Sequence, residues 1–295
     1  MRNRALVLGT VLICVAAALP AAAAGGEEGA GLAALLRDAA PAIVTVKVVV
    51  KTTMQMGGRS ADQESRFEIP GVVVDAGGLV MTSSVPFAPE RLMKMFSRGE
   101  KGPQSKTVPS EIQVLFGQDA KESAAFLAAT DSILGVAFLQ LEEVGAQKLK
   151  AIDFTQAGNP SVGDLVAAVS RLGKGFDSTP YFETARISGE VTKPRKAWVT
   201  DHGLSTIGLP VFSPAGRVLG IVAIVDSGLS ESESATDAAF SMAMQMLTGG
   251  GGLIRPFIVP APAVAALIDQ ARQQAAQKTA DRAAKKAAPA PAGRR

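Results

Sequence analysis

His202 is the single histidine of this 295-residue chain, and Ser205 follows it three positions later. A histidine beside a serine is the smallest unit of hydroxyl-nucleophile chemistry: the imidazole removes a proton and the oxygen attacks an acyl carbon. Such a pair also needs a group that orients the base. The stretch DHGLST reads as a loop, where a lone histidine is ordinarily exposed. His202 and Ser205 are therefore kept only as a substitute pair for a relocated nucleophile. The acidic run SESESATD at Ser230–Asp237 offers oxygen ligands for calcium but lacks the loop glycine and spacing of a dedicated site, so it reads as a solvated loop. Cys14 is the only cysteine and sits in an apolar N-terminal run. No metal site is expected, because metal sites draw on clustered His, Cys or carboxylates. No cofactor is expected either: the glycines Gly249–Gly252 lead into Leu253-Ile254-Arg255, without the lysine and serine of a phosphate loop.

Charge excludes another class. The last stretch, 278–295, carries Lys278, Arg282, Lys285, Lys286, Arg294 and Arg295 against Asp281. The body between the N-terminal run and this end is slightly acidic. Trp198 and Tyr181 are single and form no stacking platform, so no nucleic-acid partner is expected. The basic, Ala/Pro-rich end reads as a solvated, disordered tail.

The elements that must position any chemistry come next. Arg2 and Arg4 precede the apolar run ALVLGTVLICVAAALP, and alanines 21–24 supply small residues for cleavage. Residues 1–24 thus read as a signal peptide, with a retained membrane anchor as the alternative; the mature chain reads as periplasmic or secreted, and no stable membrane span is expected after cleavage. Leu32, Leu35 and Leu36 fit one face of a short helix. Pro41 separates it from a β-branched strand, Ile43–Val50. Residues 51–69 are polar and read as a loop. GVVVDAGGLVMT reads as two strands about an Asp75–Gly78 turn. Residues 86–109 read as an insertion with a helix at Pro89–Phe96. Strands follow at EIQVLF, SAAFLAAT, VAFLQL, DLVAAVS, RISGEVT, LPVFS and RVLGIVAIV, then a Ser/Gly-rich stretch from Asp226 to Gly252. APAVAALIDQARQQAA has helical spacing. Many short strands with a helix near each end predict an all-β barrel or sandwich.

Seven segments, in order over residues 31–275, resemble the protease domain of the HtrA/Deg family of trypsin-like serine proteases. They are APAIVTV, GVVVDAGGLVMTSSV, AATDSILGVAFLQL, SVGDLVAAVSRLG, ISGEV, GLPVFSPAGRVLGIV and FIVPAPAVAALIDQA. The resemblance implies a trypsin-like double β-barrel with short N- and C-terminal helices and an active site between the barrels. It also places the three catalytic positions. The family's histidine falls on Val85, after Thr82-Ser83-Ser84. Its aspartate falls on Gly135, while Asp131 matches the non-catalytic Asp of that segment. Its serine falls on Ile207, and the glycine that shapes the oxyanion hole falls on Ser205. The stretch from Thr200 to Ile207 is about two residues shorter than the family pattern implies. Valine accepts no proton, glycine has no side chain, and isoleucine has no nucleophilic atom. The expectation is a pseudoprotease that binds an extended or unfolded polypeptide in the inter-barrel cleft. The alternatives are a hydrolase using Ser205 with His202, or a structural envelope protein. No PDZ-like peptide-sensing segment is expected after the closing helix, and the oligomeric state is left open.

Overall fold

The computed structural model describes residues 23–56, 59–87, 104–117, 122–145, 148–224 and 256–287. Twelve strands close into two barrels. The first comprises β1 (Ile43–Met56), β2 (Arg59–Asp75), β3 (Leu79–Ser83), β4 (Gln104–Leu115), β5 (Ser123–Asp131) and β6 (Val136–Leu141), in the order β1-β2-β3-β6-β5-β4. The second comprises β7 (Leu165–Arg171), β8 (Pro180–Val191), β9 (Ala197–Thr200), β10 (Pro210–Phe212), β11 (Val218–Ile224) and β12 (Pro256–Pro260), in the order β10-β11-β12-β9-β8-β7. Helix α1 (Ala23–Ala39) precedes the first barrel and α2 (Ala261–Ala287) follows the second.

Period-two burial explains the closure. In β1, Val44, Val46, Val48 and Val50 are buried while Thr45, Lys47 and Val49 between them are partly exposed. Successive strand residues point to opposite faces, so this alternation fills one barrel interior. Val73, Val80, Ile112, Val114, Ala137 and Leu139 complete that interior. The second barrel encloses Val166, Ala168, Ile187, Trp198, Val211 and Val222.

A third cluster joins the barrels. Ile43, Val72 and Met81 from the first barrel meet Val169, Phe212 and Ile221 from the second. Leu32 and Leu35 of α1, with Val264, Ile268, Ala271 and Ala275 of α2, close over it. Polar groups lock the same joint. Arg171 on β7 donates from Nε to the Ile43 carbonyl (2.7 Å) and from Nη2 to the Ala40 carbonyl (2.7 Å), both in the first-barrel strand and its lead-in. Its Nη1 reaches the Ser178 carbonyl at 3.0 Å. A planar guanidinium suits this fork, because its donors leave in fixed directions.

Three expectations change. Of residues 51–69, those at 51–56 and 59–69 form strand, not loop: β1 and β2 run on as an antiparallel pair whose register reaches Met56↔Arg59. Backbone pairing holds these polar residues. The tail expected to be disordered from Lys278 is helical through Ala287. Lys278 donates to the Leu127 carbonyl at 3.1 Å, Arg282 pairs with Glu142, and its guanidinium lies 4.6 Å from the Phe126 ring centroid. Alanine and lysine are strong helix formers, and these contacts give the extension a surface to lie on. AWVT, not read as a strand, is β9, the link between β8 and β12. The signal segment through residue 22, the helix at Pro89–Phe96, the acidic run at Ser230–Asp237, the glycines Gly249–Gly252 and the tail after residue 287 lie outside the described residues.

Candidate active site

Two turns of the first barrel bring Val85 and Gly135 side by side. Strand β3 ends at Ser83, and the chain turns back with the Phe87 amide on the Ser84 carbonyl at 2.9 Å. Thr82, fully buried, fixes the strand end by donating its hydroxyl to the Pro70 carbonyl at 2.8 Å. The second turn is built by Asp131, whose Oδ1 accepts the amides of Ile133 (2.9 Å) and Leu134 (2.7 Å). That side-chain turn delivers the chain to Gly135 at φ +70°, a left-handed conformation that glycine adopts without strain. The Gly135 carbonyl then accepts the Ser84 amide at 2.8 Å.

The second barrel supplies Ile207. The Leu209 amide reaches the Thr206 carbonyl at 3.4 Å, with Gly208 at φ +88°, so Thr206–Leu209 is a tight turn. The Gly208 amide anchors it to the Val222 carbonyl at 2.7 Å. Gly208 presses on the end of β3: a β-carbon there would sit 2.9 Å from the Thr82 carbonyl carbon and 3.1 Å from the Ser83 nitrogen. No side chain fits, so glycine lets the barrels touch. The Ile207 Cγ2 lies 3.9 Å from where a β-carbon on Gly135 would be. Gly135 and Ile207, both half-buried, thus approach each other where the barrels meet, and half-buried Val85 follows Ser84, whose amide bonds to the Gly135 carbonyl.

None of the three can carry a proton or attack a carbonyl. Ser84 is buried and Ser83 half-buried, and the Ser83 hydroxyl accepts the Val85 amide at 3.4 Å. The substitute pair is not brought together. The Ser205 hydroxyl donates to Glu183 Oε1 at 2.6 Å and the Ser205 amide to Glu183 Oε2 at 2.8 Å. His202 turns instead to Asp201, Nδ1 to Oδ1 at 2.8 Å, with its side chain three-quarters exposed. The Arg186 amide, and then His202, hold the Asp201 carboxyl down to about 2. Among the described residues no cluster of His, Cys, Asp and Glu could hold a metal ion.

Residues 70–221 match the family model of the trypsin-like peptidase domain, just over half of the chain. The chain belongs to the trypsin-like peptidase family. No curated protein matches it. In this trypsin-like domain the matched stretch runs from late β2 into β11 and spans all three catalytic positions that the resemblance picks out. A groove of about 560 Å³ opens elsewhere on the peptidase domain, between α1, the segment 150–156 and the turn at 213–218. It contains neither Val85, Gly135 nor Ile207. Glu183 is the site residue that the sequence did not disclose: it stands 22 positions before Ser205, with no motif joining them.

Proposed function

We propose that this chain is an exported, catalytically silent member of the trypsin-like peptidases, of HtrA/Deg type, that binds extended polypeptide without cleaving it. The observation that carries this reading is the approach of Ile207 to Gly135, 3.9 Å from the place of a β-carbon there, beside the Ser84–Val85 turn bonded to Gly135. A glycine and an isoleucine meet where acyl transfer would need an orienting carboxylate and a nucleophile, and Val85 stands where it would need a base. The Ser205 hydroxyl is paired with Glu183 and not with His202, which turns to Asp201, and this disfavours a His202–Ser205 nucleophile pair. Polypeptide binding is supported by free sheet edges. Strand β2 pairs with β3 only from Gly71 onward, so among the described residues Arg59–Pro70 has β1 on one side alone. An extended segment adds to such an edge through main-chain hydrogen bonds.

The test is binding of reduced, unfolded casein peptides on an array, compared with folded globular controls. Retention of unfolded peptides, weakened when Ile207→Glu places a charge at the apolar seam, supports the reading. Equal, negligible retention of both classes sinks it in favour of a purely structural role. Export is tested separately by the mature N-terminus.

A further inference from the structure

The Ser205 amide and hydroxyl point at one place, and a carboxylate already occupies it. Glu183 Oε2 takes the amide at 2.8 Å and Oε1 takes the hydroxyl at 2.6 Å. The Thr206 hydroxyl lies 3.4 Å from that of Ser205, and the Tyr181 hydroxyl 3.5 Å from Glu183 Oε1. Backbone and side-chain donors converging from one residue make a small anion cradle, and a charged acceptor makes such bonds short and strong. The loop is short, so Ser205 stands two residues from Ile207 at the seam, while Glu183 reaches over from β8.

We propose that the amide and hydroxyl of Ser205 form a carboxylate-binding cradle beside the seam, and that Glu183 is its internal occupant. While Glu183 stays, both Ser205 donors are satisfied, and an outside carboxylate finds no donor and meets a like charge. With Glu183 removed, the cradle is left with two unpaired donors that recruit a small carboxylate from solution. This holds whether or not the cleft accepts polypeptide, because it concerns only the Ser205–Glu183 pair.

The experiment follows the Ser205 backbone amide by NMR in the wild-type protein, Glu183→Ala and Glu183→Gln, with acetate as the probe. The wild-type resonance should ignore acetate at constant ionic strength, and the Glu183→Ala resonance should shift saturably. Amide exchange at Ser205 should speed up roughly tenfold or more in Glu183→Ala, as expected for losing a charge-assisted hydrogen bond. Glu183→Gln keeps the shape without the charge and should show a smaller rise in exchange, so the claim remains testable if the alanine variant folds poorly. A wild-type amide that responds to acetate as the variants do overturns the proposal. So does unchanged exchange in both variants, or a Glu183→Ala amide indifferent to acetate.

Discussion

Gly135 and Ile207, 72 positions apart in the chain and in different barrels, meet with 3.9 Å between the Ile207 Cγ2 and the place of a β-carbon on Gly135. The approach is apolar, and it brings together two turns whose backbone geometry is held by other residues: Asp131 behind Gly135, and Gly208 after Ile207. Both turns keep well-defined backbone geometry, and the residues that approach each other there are a glycine and an isoleucine.

The two glycines of the joint should respond differently to alanine. Gly208→Ala meets backbone at 2.9 Å and takes a left-handed φ, so it should cost at least about 2–3 kcal/mol. Gly135→Ala carries the φ cost but meets Ile207 only at 3.9 Å, so about 1–2 kcal/mol is expected. Urea unfolding of both variants checks the order, and equal costs would show that the barrels do not press together at Gly208.

Arg171 should behave as a rivet between the barrels. Arg171→Ala strands the carbonyls of Ala40, Ile43 and Ser178 and should cost about 2–4 kcal/mol in chemical denaturation. Arg171→Lys, lacking the planar fork, should recover less than half of that. Full recovery by lysine would mean that charge alone, and not the fork, holds the joint.

The C-terminal helix should contribute modest stability beyond residue 277. Truncation after Gln277 removes the Lys278 bond to Leu127, the Arg282–Glu142 pair and the packing on Phe126. Exposed pairs and cation–π contacts contribute about 0.5–1 kcal/mol each, so the midpoint should fall by roughly 2–6 °C. An unchanged midpoint in differential scanning calorimetry would show this end of the helix to be undocked.

Much of the fold was legible in the sequence, for physical reasons that differ between elements. The valine alternation of β1 is a local, period-two signal and survives without knowledge of any partner. The far half of the β1–β2 hairpin was not legible by hydrophobicity, since its residues are mostly polar and it is held by backbone pairing. The helical end after Lys278 reads as a solvated tail by composition, and only Phe126 and Glu142, more than 130 residues earlier, give it a surface. Val85, Gly135 and Ile207 were picked out only through the resemblance, whose motifs bracket each of them. Glu183 was not, because its partner is set by how β8 and the 200–207 loop face each other.

Acid should weaken the 200–207 loop through Asp201. Its carboxyl titrates at about 2, below the usual 3.8, because the Arg186 amide and then His202 stabilise the charged form. A lowered folded pKa means that the unfolded chain binds the extra proton first. The stabilisation is therefore complete above about pH 4 and is lost as pH falls toward 2. Asp201→Asn should be less stable than wild type at neutral pH, and the gap should close across that window. A gap that is constant with pH would show that the carboxylate charge contributes nothing.

The most direct test of catalytic silence is exposure of the purified wild-type protein to a fluorophosphonate, followed by intact-mass measurement and a casein turnover assay. The account predicts no covalent adduct on any serine and no turnover above the no-enzyme control, since the joint offers neither base nor nucleophile. A stoichiometric adduct on Ser205, Ser83 or Ser84, or casein turnover that Ser205→Ala abolishes, would contradict it.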